Sequence, residues 1–173
     1  GQLPLRQMPV RVHGLFERCA TRFLPRAAEQ GVALESACPD GLSFTGDDER
    51  VTQVLSNLLD NALRHTPAGG TIRLEAGDGA GGVWMRVTDT GSGIPPEHLP
   101  HLFERLYRVE KSRSKGSGGS GLGLAIAREI VDAHGGTITA ESAPGKGTAI
   151  TIRLDPRPPA HPCQAKESAA IGG

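Results

Sequence analysis

Asn57, Asn61, Arg64 and His65 fall at i, i+4, i+7 and i+8, which on a helix is a stripe spanning an arc of about 100°. Two amide oxygens one turn apart are neutral, hard ligands that suit a magnesium ion whose other ligands are phosphate oxygens and water. Arg64, on the same stripe, has the charge and reach to hold those phosphates. The plain alternative is that every amphipathic helix has a polar face. Asn is a mediocre helix former, however, and two of them where Gln or Glu would serve call for a reason.

Asp89-Thr90-Gly91-Ser92-Gly93-Ile94 follows a stretch rich in Val with one Trp. Asp before Gly is ordinary turn chemistry. A carboxylate buried at a strand end can instead accept a hydrogen bond from the exocyclic amine of adenine, with Gly91 and Gly93 letting the base approach the backbone. Guanine presents a carbonyl there and would be rejected, because an unmatched buried polar pair costs about 1–3 kcal/mol.

The third stretch is Gly116-Ser117-Gly118-Gly119-Ser120-Gly121-Leu122-Gly123-Leu124, running straight into a helical pattern. Backbone N–H groups at a helix start bind phosphate well, and glycines let the chain wrap an anion. Gly116, Gly118 and Gly121 satisfy G-x-G-x-x-G, but a dinucleotide fingerprint needs a strand just before it, and Lys111 to Lys115 is charged and non-β. The chain contains no G-x-x-x-x-G-K-[ST] phosphate loop. A flexible linker is the remaining alternative.

These segments need elements to hold them. Hydrophobic spacing predicts a short strand over residues 3–8 and a helix over 10–30, interrupted or kinked at Pro25. An extended region follows over 31–44, with a turn at Pro39-Asp40-Gly41. Gly46-Asp47-Asp48-Glu49 supplies an N-cap and acidic first turn for a helix over 48–65. Its apolar face is Val51, Val54, Leu55, Leu58, Leu59 and Ala62, and Thr66-Pro67-Ala68-Gly69-Gly70 ends it. Strands over 71–76 and 83–88 form an antiparallel pair. Residues 95–120 read as a long, mobile connection, 121–134 as a helix stopped by Gly135-Gly136, and 137–140 and 148–154 as strands joined by Pro144-Gly145-Lys146-Gly147. The tail from 155 to 173 is Pro- and Ala-rich and is expected to be disordered. The fold class expected is α+β in two layers, helices on one face of a mixed, mostly antiparallel sheet.

The whole chain narrows the choices further. Its 173 residues suit one domain, and 19 basic residues balance 19 acidic ones, so nothing suggests a surface for nucleic acid. Aromatics make up only 3%, too few for base stacking. The cysteines, Cys19, Cys38 and Cys163, are odd in number and lack metal spacing, which suits a reducing compartment. No run approaches a membrane span of about 18 apolar residues. His98 and His101, with Glu97 and Glu104, lack the strong zinc spacings and read as a solvated loop.

In this order the features resemble the ATP-binding catalytic domain of sensor histidine kinases, within the superfamily shared with gyrase-type, Hsp90-type and mismatch-repair ATPases. The match covers about residues 3–154. Asn57-Leu58-Leu59-Asp60-Asn61-Ala62 looks like the N box and Asp89 to Ile94 the G1 box. Phe103-Glu104-Arg105-Leu106-Tyr107-Arg108 looks like the F box, Gly119 to Leu124 the G2 box and Gly145-Lys146-Gly147-Thr148 the G3 turn. Each motif is weak alone; five in order are specific.

The resemblance implies a Bergerat-type ATP-binding fold over 1–154, with a lid at about 95–121. It implies ATP and magnesium as cofactors, and Asn57, Asn61 and Arg64 as catalytic residues. Asn61 is then the main magnesium ligand with Asn57 assisting, and Arg64 stands at a phosphate-binding position. Asp89 reads adenine and Thr148 lies near the base. The expected nucleotide contacts are completed by His65, Gly91, Gly93, Ile94, Tyr107, Lys111, Arg113, Gly119, Ser120, Gly121, Leu122, Gly123 and Leu124. Superfamily members that hydrolyse ATP typically carry Glu at the place of Asn57 to activate water, and an amide cannot take that proton. The γ-phosphate is then expected to pass to a histidine.

None of His13, His65, His98, His101, His134 and His161 precedes the acidic-basic pair of a family phosphoacceptor, so the acceptor is expected in a separate dimerisation domain. The expected partners are that domain and a response regulator, with this piece a cytoplasmic monomer that can belong to a membrane-anchored sensor. Two other readings are an anti-sigma-factor-like serine kinase, which Asn57 counts against, and a non-catalytic ATP-binding regulatory module.

Overall fold

The structure is a computed structural model that describes residues 3–105 and 122–154. In chain order its elements are β1 (Met8–Arg11), α1 (Val12–Gln30), β2 (Ala33–Ala37), β3 (Ser43–Gly46), α2 (Asp48–His65), β4 (Thr71–Gly79), β5 (Gly82–Asp89), a 3-10 turn (Leu99–His101), α3 (Gly123–Ala133), β6 (Thr137–Ser142) and β7 (Thr148–Leu154).

Helix α2 occupies the residues its pattern predicts, because every local signal agrees. Asp47 caps it, its carboxylate accepting from Arg50 N at 3.1 Å, while Asp48 and Glu49 open the helix and Arg64 and His65 close it in the sense the helix dipole favours. Val51, Val54, Leu55, Leu58, Leu59, Ala62 and Leu63 are all buried. At the end, the Thr66 hydroxyl donates back to the Ala62 carbonyl at 2.7 Å.

The main sheet has the order β2-β4-β5-β7-β6, with β2 and β4 parallel and every other pair antiparallel. Ile72, Leu74 and Ala76 of β4, Val83, Met85 and Val87 of β5, and Ile150, Ile152 and Leu154 of β7 are buried in one core with the helices. The intervening positions carry Arg73, Glu75 and Arg86, and Arg86 lies over the Trp84 ring at 4.8 Å. One covered face and one polar face give the two-layer α+β architecture that the alternation predicts.

Local details depart from the sequence-based expectations. The first strand is Met8–Arg11, not 3–8, and it pairs antiparallel with β3 in a separate two-stranded ladder. The segment before it is tied instead by Arg6 N, which donates to Asp47 Oδ2 at 2.8 Å. The extended region 31–44 is two strands in two different sheets, divided by a turn in which Gly41 has φ 74°. Helix α1 runs through Pro25 without a break. Both Pro25 and Thr21, whose carbonyl four residues back loses its partner, are exposed, so the helix can carry the proline where the freed carbonyl is open to solvent. Strands β4, β5 and β6 are longer than the predicted 71–76, 83–88 and 137–140, since pairing continues wherever a partner strand is present. Helix α3 begins at Gly123 among the described residues, rather than at 121, and ends at Ala133.

One hydrogen-bonded knot joins the N-terminal segment, α2 and α3. Asp47 N donates to His134 Nε2 at 3.0 Å, so that nitrogen is the bare one and Nδ1 carries the proton that the Ile130 carbonyl accepts at 2.8 Å. Burial alone would raise the Asp47 carboxyl. The Arg6 and Arg50 N–H groups, helped by the charge of Arg50, outweigh that and hold its pKa below the ordinary value. A lowered carboxylate pKa contributes stability that is present above the ordinary carboxylate range and is lost as pH falls through the folded-state value. Asp47→Ala is expected to lose about 1–2 kcal/mol by urea denaturation at neutral pH, and the gap to wild type should close as both are taken into acid; a gap independent of pH would show that the carboxylate charge is not what holds the knot.

Candidate functional site

Asp89, the last residue of β5, is only 4% exposed and stands in register between Ile72 of β4 and Thr148 of β7. Its Oδ1 accepts from Gly91 N at 2.8 Å, and the Thr148 N–H also faces the carboxylate closely enough to favour its charged form. Burial raises its pKa above the ordinary value, opposed by those two N–H groups and by the nearby His65. Two donors leave lone pairs over for a further donor.

The backbone around this carboxylate is packed too closely for side chains. A Cβ on Gly91 would stand 2.3 Å from the His65 carbonyl oxygen. Gly147 has φ 79°, and a Cβ there would stand 1.9 Å from the Asp89 carbonyl oxygen. Gly93, at φ 75°, lies against the Ala143 carbonyl, and Ile94 is buried. The β6–β7 hairpin turn is therefore locked against the turn that follows β5.

Ser142 supplies that lock and was not singled out by its sequence context. Its Oγ accepts from Ile94 N at 2.7 Å and donates to the Gly147 carbonyl at 2.8 Å. Having spent its single proton there, it accepts from the buried Thr148 hydroxyl at 2.9 Å. Gly145 N adds a bond to the Ser92 carbonyl at 2.7 Å. A serine at a hairpin end has no sequence signal beyond ordinary turn chemistry.

Helix α2 connects this end to the other. At its C-terminus the His65 carbonyl touches Gly91, while the His65 side chain is exposed. Two turns earlier, Asn57 Nδ2 donates to the Gly123 carbonyl at 2.9 Å, tying α2 to the first residue of α3. That bond uses the Asn57 nitrogen and leaves its oxygen as the metal-capable atom. Asn61, between them, is half-buried, and its side chain makes no hydrogen bond among the described residues. Arg64 is turned toward the preceding turn, where it pairs with Asp60 at 2.8 Å. From residue 57 to residue 65 the helix rises about 12 Å, so the glycine start of α3 and the buried carboxylate stand at opposite ends of one polar stripe.

Leu122 and Leu124 flank Gly123 and are half-buried, and no side chain among the described residues caps the start of α3. The first N–H groups of a helix have no partner within it and are the kind of donors that bind an anion. Tyr107, Lys111, Arg113, Gly119, Ser120 and Gly121 lie outside the described residues, as does most of the predicted lid and the tail from 155. His101 Nδ1 meets Glu104 Oε1 at 2.8 Å. Among the described residues no three His, Cys, Asp or Glu side chains gather in a way that would hold a metal, and no helix is long and apolar enough to cross a membrane.

Comparison with known proteins bears on the same region. Residues 46–158 match the family described as histidine kinase-, DNA gyrase B-, and HSP90-like ATPase. The chain is 41% identical over 154 residues to the signal transduction histidine-protein kinase BaeS of Escherichia coli, covering 89% of this chain and 33% of BaeS. It spans about a third or less of the curated relatives it matches first. Among solved structures it is similar to full-length ShkA in complex with AMPPNP, with a TM-score of 0.81 and 30% identity over 95% of this chain and 34% of that one. It is also similar to the mycobacterial sensor histidine kinase MprB, with a TM-score of 0.76 and 31% identity over 89% of this chain and 100% of that one. The amide-bearing helix, the buried carboxylate and the glycine turns all fall inside the matched span: the chain belongs to the histidine kinase-, DNA gyrase B-, and HSP90-like ATPase family, on its histidine kinase side.

Proposed function

We propose that residues 1–154 are the ATP-binding catalytic module of a two-component sensor histidine kinase, donating the γ-phosphate of ATP to a histidine in a separate dimerisation domain. The observation that carries this reading is the polar stripe of α2, about 12 Å long, with the buried Asp89 turn at one end and the start of α3 at the other. That span suits a nucleotide laid along the helix, adenine at Asp89 and phosphates at α3. The AMPPNP complex of the similar ShkA supports the same ligand class.

At the base end, the spare lone pairs of Asp89 accept from the adenine amine, and the Ser142–Thr148 hydroxyl pair fixes the wall beside it. At the phosphate end, Asn61 is the uncommitted amide and Asn57 keeps a free oxygen, a neutral donor set that fits magnesium in company with phosphate oxygens. Magnesium bound there supplies neutralisation of the charge on the transferring phosphoryl group. The first N–H groups of α3, with Leu122 and Leu124 beside them, orient the phosphate chain.

Asn57 explains why the phosphate is kept for a partner. Its amide cannot accept a proton from water, and its nitrogen is already engaged on Gly123, so no general base stands at this place on α2. Catalysis then rests on positioning and charge, as phosphoryl transfer generally does. A response regulator would take the phosphate from the histidine, and the module itself would act as a monomer on the cytoplasmic side.

Asp89→Asn presents an amide nitrogen to the adenine amine or loses the Gly91 bond, so Mg-ATP affinity by calorimetry should fall roughly 5- to 150-fold while the circular dichroism spectrum is retained; unchanged affinity removes the adenine assignment. Asn61→Ala should abolish magnesium-dependent transfer of labelled phosphate to an added dimerisation domain. Transfer that persists in that variant rules out the metal role of Asn61.

A further inference from the structure

Asp60 is shared. Its Oδ2 meets Arg64 at 2.8 Å one turn further along α2, and its Oδ1 accepts from Arg26 of α1 at 2.6 Å. The three side chains are 32%, 33% and 37% exposed for Asp60, Arg64 and Arg26. The pair within α2 has its acidic member N-terminal, the favourable order for such a pair. On the helix surface Arg64 lies between Asp60 on one side and Asn57 and Asn61 on the other, so its guanidinium can face the acid or the amide stripe.

A cavity of about 250 Å³ flanks this arrangement between α1 and α2, lined by Arg22, Phe23, Arg26, Ser56, Asn57 and Asp60. The Ser56 hydroxyl in its wall is buried with no hydrogen-bond partner. Asp60 therefore has open space beside it. Its position is set by its two cations, which compete for one negative charge and repel each other.

We propose, resting on the nucleotide reading above, that Asp60 and Arg26 are positioning residues that tune how readily Arg64 turns to the phosphates of bound ATP. Asp60 draws Arg64 away from the amide stripe. Arg26, by taking part of the Asp60 charge, loosens that hold. Helix α1 thereby has a handle on the phosphate site without touching the nucleotide, and a movement of α1 that withdraws Arg26 weakens nucleotide binding through Arg64.

Two neighbouring substitutions should then act in opposite directions. Mg-ATP affinity of the full chain is measured by calorimetry at about 0.15 M salt, where charges more than about 8 Å away are largely screened. Asp60→Asn should tighten binding about two- to five-fold, the range a partly exposed ion pair supports. Arg26→Met should weaken it by a similar factor, and Arg26→Lys should restore part of the loss. In an Arg64→Met background both effects should vanish. A tightening in Asp60→Asn cannot come from a damaged fold, and urea midpoints of every variant separate lost affinity from lost stability. Shifts of the same sign, or an Asp60→Asn effect that survives Arg64→Met, overturn the proposal. A wild-type chain that binds no Mg-ATP overturns the nucleotide reading and this one with it.

Discussion

A carboxylate removed from water must be given hydrogen bonds, and the site is organised around doing this for Asp89 while keeping lone pairs in reserve. Two backbone N–H groups, from Gly91 and Thr148, face it. They come from different parts of the chain, so both must be held in place. Gly91 can supply its N–H only because it has no Cβ to strike the His65 carbonyl, and Gly147 can bring β7 alongside only because it has none to strike the Asp89 carbonyl. The end of α2, the start of β7 and the turn after β5 are thus mutually dependent, and the Ser142 hydroxyl closes the group.

Helix α2 serves two solvents at once. One side is the centre of the core, through Val54, Leu55, Leu58 and Leu59, and burial there is what fixes the helix against β4 and β5. The other side carries the amides, and its orientation follows without freedom of its own, because a helix cannot rotate its polar stripe independently of its apolar face. The Asn57 bond to Gly123 extends that control to α3. At the opposite end of the same helix, Asp47 ties the chain before β1 and the end of α3 to the cap. The polar contacts at both ends of α2 therefore attach other segments to one rigid element, which is the condition for holding functional groups in fixed relation.

The charges flanking the stripe are arranged differently from the buried ones. Asp89 and Asp47 are buried and answered by backbone N–H groups that cannot leave. Asp60 is partly exposed and answered by two flexible arginines. Fixed donors suit recognition, where geometry must not drift, whereas exchangeable ion pairs of small net energy suit adjustment. Both kinds sit on or next to one helix.

The sequence by itself determined the features whose causes are local. Helix 48–65 was legible to the residue because cap, charge order and hydrophobic period all coincide there. The turn after Asp89 and its glycines were legible because a turn packed this closely against neighbouring backbone demands residues without a Cβ, and the two-layer fold followed from alternation and helical spacing. What depends on distant partners was not legible. The first strand was placed too early because its ladder with β3 joins segments far apart in sequence, and an interruption or kink was expected at Pro25 because its exposure is a tertiary fact. Ser142 reaches Ile94 across 48 positions and Arg26 reaches Asp60 across 34. The pairing of Arg64 with Asp60 is local, one turn apart on α2, but only the packed structure decided that Asp60 is shared, because its second cation, Arg26, comes from a neighbouring helix far away in sequence.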